Sequence, residues 1–284
     1  MTGIEIGPWF KPTVPKRVWD AIVIDFADTR TLRRIARTHN DKNMRAAAAM
    51  IEPVDVVWRG QPLDEACLAL RPEGFDFLIA SHVFEHLPDL IRVLKEVGRL
   101  LKPYGVINLA LPDMRFTFDF FRPVTTLADV LRAHREQHIR HTPETVFSAE
   151  LSNTWSNGLA MWSRDAMVVP HIVSLLEPAY DIYVRETDAM AEPNRPYVDA
   201  HAWVFTPSVF ELLILELHHL DLIPFQVVHI EDGELGEFIV QLAKSAASPS
   251  SNEVHARRRE LMIAIVLEQA ERAERMKRAL TAAA

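Results

Sequence analysis

The stretch from Gly74 to Asp113, GFDFLIASHVFEHLPDLIRVLKEVGRLLKPYGVINLALPD, leaves this chain few folds to choose from. Phe75 to Ala80 is a short, almost wholly apolar run, the composition of a parallel strand covered on both faces. Leu90, Ile91, Leu94, Val97, Leu100 and Leu101 then recur every three or four residues. That spacing lays them along one side of a helix and leaves Arg92, Lys95, Glu96, Arg99 and Lys102 mostly on the other. Pro88 and Asp89 suit a helix start, while Pro103 and Gly105 stop it. Val106 to Leu111 is a second apolar run. A strand, a helix and a strand joined this tightly imply parallel strands and a right-handed crossover.

The same rhythm precedes this unit. Gly3 to Gly7 is a minimal strand that breaks at Gly7-Pro8, and Pro12 and Pro15 keep Trp9 to Lys16 a loop. Ala21 to Phe26 reads as a strand closed by Asp25 and Asp28, and Thr29 to Arg37 as a helix with Leu32, Ile35 and Ala36 inward. Val54 to Trp58 reads as a third strand and Leu63 to Leu70 as a short helix. Strand and helix thus alternate through residues 1–112, the signature of a doubly wound α/β sheet. At 284 residues the chain can bury a full core for it.

From 113 to 200 the rhythm is lost. The stretch is rich in aromatics and histidines (RFTFDFFRP, then His134, His138, His141, Trp155, Trp162 and His171), and it reads as an insertion covering one end of the sheet. Thr126 to Gln137 is its clearest helix. Residues 201–245 return to order: a helix with Thr206 as N-cap and Pro207 at its first position, then strands over Ile223 to Ile230 and Glu237 to Leu242. Ser248 to Asn252 reads as a linker. Within 251–284, Val254 to Leu280 is one long charged helix with an interrupted apolar stripe of Leu261, Ile265, Met276 and Leu280. Such a stripe suits packing on the domain or pairing with a second copy in a homodimer.

Ligands of open α/β sheets bind outside the carboxyl ends of the strands, where strand order reverses. The residues there are Gly7 and Pro8 after the first strand, with Glu5 inside it, and Asp25 after the second. Arg59, Gly60 and Gln61 follow the third, Ser81 and His82 the fourth, and Asp113 the fifth. Each alone is an ordinary loop residue; as a set they line one edge of one sheet.

Glu5-Ile6-Gly7, Asp25, FDFLIASHVFEHLPD, LKPYGVINLALPD and the closing GEFIVQL resemble the class I S-adenosylmethionine-dependent methyltransferases. EIGP followed by prolines, SHVFEH and PDMRFTFDFFRPVT are similar to a bacterial methyltransferase-domain group whose members often accompany polysaccharide and glycosyltransferase genes. The resemblance covers roughly residues 3–145 and 201–242. It implies a Rossmann-like seven-stranded sheet of order 3-2-1-4-5-7-6, the last strand antiparallel, and S-adenosylmethionine as cofactor. It further implies cofactor contacts from Glu5, Gly7, Asp25, Ser81 and His82, with Glu5 ordering the loop or the methionine amino group. Gly7 would allow close approach, Asp25 would hold the ribose, and Ser81 and His82 would face the methionine end. The chain departs from the family at its glycine-rich loop, where only Gly7 of three glycines remains and Trp9 and Lys11 take the other places. Arg59 stands where relatives place an acid near the adenine, and Tyr104 replaces a turn glycine.

Competing motifs are weaker. His82-Val83-Phe84-Glu85-His86 is a literal H-x-x-E-H, but Pro88-Asp89 starts the helix only after His86, so the helical spacing that motif needs is missing. His134, His138 and His141 read as a polar helix face beside a substrate cleft, and no bound metal is expected. The absence of G-x-G-x-x-G after the first strand speaks against a nicotinamide enzyme. The net charge of −8 argues against a nucleic-acid partner. The lone Cys67 forms no internal disulfide or cysteine-based zinc cluster, no signal pattern opens the chain, and no apolar run nears about 18 residues, so a soluble cytoplasmic chain without a membrane span is expected.

The expected activity is therefore methyl transfer to oxygen of a sugar or other small polar acceptor. A hydroxyl acceptor needs its proton removed, and His82, His201 and Asp113 are the candidate catalytic bases. The alternative is a methyltransferase fold serving as a non-catalytic partner or regulatory protein, suggested by the altered glycine loop and the long last helix.

Overall fold

The computed structural model describes residues 1–155, 160, 162, 164, 171–172, 175–192, 195–245 and 249–283, with the main chain alone at 171–172 and 283. The side chain of His171 and Ser248 of the expected linker lie outside the described residues. Five parallel strands, β1 (Thr2–Ile6), β2 (Asp20–Asp25), β3 (Val56–Val57), β4 (Phe75–Ser81) and β5 (Leu101–Pro112), join β6 (Phe225–Asp232) and β7 (Glu237–Lys244) in one sheet. Their spatial order is β3-β2-β1-β4-β5-β7-β6, and β7 runs antiparallel to both of its neighbours. This is the Rossmann-like order that the resemblance implies.

The apolar runs of the strands are buried because helices cover them. Ile4, Ile24, Leu78, Ile107 and Leu109 share one core with Leu90, Ile91, Leu94 and Val97 of helix α4 (Leu90–Leu100), where α1 is Thr29–Thr38, α2 Lys42–Ala47 and α3 Leu63–Leu68. Burying each such side chain contributes about 1.5–3 kcal/mol. Helix α5 (Leu127–Arg135) opens on a Thr126 capping box, and α6 (Pro143–Leu151) and α7 (Leu176–Asp188) follow it. Then α8 (Pro207–His219) adds Phe210, Leu213, Ile214 and Leu217 to the core.

Three details differ from the periodicity. β3 has two residues rather than five, because the Asp55 side chain, not a main-chain carbonyl, accepts the Val23 N–H at 2.7 Å. Glu96 lies on the buried side of α4, where its carboxylate accepts the Leu63 N–H at 3.0 Å. Helix α3 needs that acceptor because Pro62, at its N-cap, has no side chain to offer. Helices α2, α6 and α7 carry no clear apolar period, and the sequence shows none of them.

Helix α9 (Ser251–Ala283) packs along α8 with Val254, Leu261 and Ala279 buried, while Met276 rests on Phe116, Phe120 and Trp162. Glu268 accepts from the Thr206 hydroxyl at 2.5 Å and from the Ser208 N–H and hydroxyl at 3.2 and 2.8 Å, so α9 also caps the start of α8. Leu280, Val266 and Leu267 remain exposed. No helix among the described residues is long and apolar enough to cross a membrane.

Gly98 of α4 sits against Pro224, whose Cγ would lie 2.6 Å from an added Cβ. Alanine gains up to about 1 kcal/mol of helix propensity there, but overpacking against a rigid ring costs typically 1–3 kcal/mol. Gly98→Ala is therefore expected to lower stability by about 1 kcal/mol or more, read as an earlier midpoint in urea unfolding.

Candidate active site

The sheet reverses its winding between β1 and β4, so the crevice for a ligand opens at their carboxyl ends. Register puts Ile24, Ile6 and Ala80 in one row across β2, β1 and β4. The next row is therefore Asp25, Gly7 and Ser81, three of the residues singled out in the sequence, set side by side. Gly7 has φ +65 and its N–H donates to the Ile24 carbonyl at 2.9 Å. A Cβ there would meet Val83 at 3.2 Å, so the loop after β4 lies directly over Gly7. Glu5 points elsewhere: its two oxygens accept the N–H groups of Thr13 and Val14 at 2.7 and 3.2 Å. That arrangement orders the proline loop, which also carries Trp9 at φ +52. Asp25 is buried and accepts the Phe26 N–H at 2.8 Å. Burial, only partly offset by that bond, pushes its pKa up to about 6.

Beyond Ser81 the chain turns sharply. His82 has φ +53, Phe84–His86 form a single 3₁₀ turn, and Asp89 caps α4 by accepting the Arg92 N–H. The H-x-x-E-H residues thus share no helix. The His82 ring donates to Glu237 of β7 at 2.8 Å, and its other nitrogen stands 3.5 Å from Glu85. Burial would lower its pKa, but the Glu237 hydrogen bond and the nearby Glu85 and Glu237 carboxylates outweigh it and raise the pKa to about 9. Without a further ligand, the ring is a cation at neutral pH and a poor proton acceptor, a correction to its expected role as base.

Asp113 is corrected more firmly. It is fully buried, and Arg115 binds both of its oxygens through Nε at 2.9 Å and Nη2 at 2.6 Å. Arg115 reaches on to Glu271 of α9 at 2.6 Å. A carboxylate so bonded holds structure, with its oxygens already committed to the guanidinium.

His201 is different. The Glu85 main-chain carbonyl accepts from Ala202 and Trp203 at 2.7 and 3.1 Å, which brings residue 201 beside the loop after β4. The His201 Nδ1 donates to Asp119 at 2.5 Å, and Asp119 is buried and also bound by Arg122 at 2.7 Å. Burial favours a neutral Asp119, but His201 and Arg122 together hold its pKa below the ordinary range. Next to it, His86 Nδ1 donates to Asp199 at 2.9 Å, and the His86 and His201 rings meet edge to face at 4.6 Å. The Tyr197 hydroxyl bonds His141 Nε2 at 2.8 Å, and burial pushes His141 down to about 4, keeping it neutral.

Of the residues expected from the sequence, Gly7, Asp25, Ser81 and His82 share one edge and His201 joins them; Glu5 and Asp113 serve the frame. Sequence reasoning missed Glu85, Asp119, Asp199 and Glu237. A trace of two was visible: Asp119 is the lone acid in the aromatic run FTFDFF, and Glu85 the lone acid in SHVFEHL. A cavity of about 510 Å³ opens beside this cluster, walled by Arg122, Thr125, Arg140, His141, Ala202 and Trp203 among others.

A search among curated proteins found no match. Solved structures similar to the chain include an S-adenosylmethionine-dependent methyltransferase of Methanosarcina mazei (15% identity, 86% of this chain and 92% of that one, TM-score 0.38). Another is that of Mesorhizobium loti (12% identity, 86% and 90%, TM-score 0.38). A third is the CcbJ methyltransferase of Streptomyces caelestis (11% identity, 86% and 89%, TM-score 0.40). Scores this low carry no argument by themselves. The model of the methyltransferase-domain family, however, matches residues 2–156, more than half of the chain and the part that holds Gly7, Asp25, Ser81 and His82. The chain belongs to that family and is an S-adenosylmethionine-dependent methyltransferase.

Proposed function

We propose that the chain methylates an oxygen of a small polar acceptor, a sugar hydroxyl being the class that fits best. The observation that carries this reading is the His201–Asp119 pair beside a cavity walled by arginine, threonine and histidine side chains. Such a wall offers a polyhydroxylated molecule hydrogen bonds, while Trp203 offers an apolar face.

The residues at the strand ends fit the cofactor. Gly7 is in the left-handed region, where the absence of a side chain permits close approach, and Asp25 is a buried carboxylate at the end of the neighbouring strand. Gly7 and Ser81 would hold the methionine end and Asp25 the ribose hydroxyls, while Glu5 keeps the loop in shape. The bound cofactor supplies the methyl group as a sulfonium, a good leaving group. The protein contributes position: the acceptor is held in line with the methyl, and the loop after β4 separates the two halves of the site. Asp119 fixes the His201 ring so that Nε2 carries the lone pair, the tautomer suited to receiving a hydroxyl proton. Arg122, Thr125, Arg140 and His141, with His201 and Trp203, would supply the acceptor side of this site, and residues 1–112 the cofactor side.

Two predictions follow from these assignments. The raised Asp25 pKa means that its stabilising contribution is complete below the unfolded value of 3.8 and is lost as pH rises through about 6. The loss by pH 7.5 is on the order of 3 kcal/mol. Asp25→Asn removes that titration, so urea unfolding should show the variant gaining on the wild type between pH 4.5 and 7.5. Calorimetry should show its S-adenosylmethionine binding much weakened, and equal binding in variant and wild type would remove Asp25 from the site. Second, His201→Ala should lower methyl transfer at least about 100-fold with cofactor affinity nearly unchanged. The readout is S-adenosylhomocysteine released with a panel of sugars. Turnover on apolar amines instead of any hydroxyl compound would overturn the acceptor class.

A further inference from the structure

We propose that Glu85, His86 and His201 bind a divalent transition-metal ion. Glu85 Oε1 stands 3.7 Å from His86 Nε2 and 4.0 Å from His201 Nε2, and the three ligand atoms all lie within 4.8 Å of one another. Ligands about 2.1 Å from a tetrahedral centre are about 3.4 Å apart, so the two carboxylate–imidazole pairs close by about 0.3 and 0.6 Å and the imidazole pair by at most about 1.4 Å to complete the set. At the present distances none of the contacts is a hydrogen bond. Glu85 is fully buried and neither of its carboxylate oxygens accepts a hydrogen bond, the charged His82 ring standing off at 3.5 Å. A buried carboxylate that accepts no hydrogen bond is costly; the His82 ring offsets part of that cost, and a bound ion would offset more.

The two rings are aimed from behind. Asp199 takes the Nδ1 proton of His86 and Asp119 that of His201, which leaves each Nε2 lone pair facing Glu85. An outer carboxylate on each ligating histidine fixes the tautomer and raises ligand basicity. Two imidazoles and one carboxylate suit Zn²⁺, Mn²⁺ or Fe²⁺ better than Ca²⁺ or Mg²⁺, which prefer oxygen throughout. The H-x-x-E-H spacing fails here as a helix motif, since His82 bonds Glu237 instead. The second imidazole comes from His201, held in place by the Glu85 carbonyl.

Three protein ligands leave coordination positions open. Resting on the function proposed above, one of them takes the acceptor oxygen and eases loss of its proton to solvent. That oxygen forms the new O–CH₃ bond as the S–CH₃ bond breaks, and the bonding pair returns to sulfur to give the neutral thioether. The His201 lone pair that receives the acceptor proton in the ion-free protein would hold the ion in the loaded one, so His201→Ala lowers transfer in either state.

The test strips the full-length protein of metal with a chelator, then titrates Zn²⁺ and Co²⁺ into the wild type, Glu85→Gln and His86→Gln, with a parallel S-adenosylmethionine titration. One equivalent of ion should bind the wild type, with visible absorption for Co²⁺. Tm should rise by roughly 5–10 °C at a free ion concentration a hundred times Kd. Binding should weaken at least about 10–100-fold in each variant. In chelator, both variants should still melt in one cooperative step, which separates lost ion binding from lost folding. No stoichiometric binding to the folded wild type, or binding that survives both substitutions, overturns the site. A chain that takes the cofactor but no ion loses this inference alone. One that takes the ion but no cofactor keeps the site and loses the proposed transfer.

Discussion

The carbonyl oxygen of Glu85 accepts two main-chain N–H groups, and the site exists because of it. Ala202 and Trp203 belong to a segment that returns to the sheet after a long excursion, and these bonds set where it lands. The Trp203 indole adds a third, donating to the Leu87 carbonyl at 2.6 Å. Backbone bonds of this kind are indifferent to side-chain identity, so position comes from the main chain and chemistry from whichever residues stand at 85, 86 and 201. Cofactor and acceptor sides are thereby joined across one short loop.

That junction concentrates charge in the interior, where each ion must be met by another. Asp119 is met by Arg122 and His201, and Asp113 by Arg115, which spans to Glu271 of the last helix. Arg272 of the same helix donates to the Phe120 carbonyl at 2.9 Å. The aromatic run around residues 114–122 is therefore clamped from the side away from the sheet. Removing one member of such a pair costs far more than the intact pair contributes, because a lone buried charge remains. Helix α9 is part of the scaffold of the site, whatever else its exposed face meets.

Much of the sheet was legible because its period is local. Phe75 to Ala80 and the 90–101 stripe declare a strand and a helix within a few residues, and Asp89 and Thr206 announce the helix starts they cap. Where a residue answers a partner distant in sequence, legibility ends. Glu96 reads as solvent-facing by period and is buried because α3 lacks a cap. Asp113 reads as a strand-end carboxylate and is consumed by Arg115, two residues on. His201 was visible as a candidate base, but Asp119, 82 positions away, gives it its orientation. The row of Gly7, Asp25 and Ser81 could be read because parallel register follows from strand boundaries. The place of the Glu85 carboxylate could not, because its burial beside His86 and His201 is a property of the packed interior.

Strand β7 enters the sheet last yet lies between β5 and β6, not at the rim. Its Lys244 also closes α4, donating to the carbonyls of Gly98 and Leu101 at 2.8 and 2.7 Å. While the chain is being made, the apolar flank of β5 stays unpaired until Glu237–Lys244 has left the ribosome, more than 120 residues after β5 itself. Unpaired strand edges recruit other chains. The order of synthesis thus sets a period of vulnerability, and a nascent chain stalled before Glu237 would present a sticky half-sheet whose His82 still lacks its Glu237 partner.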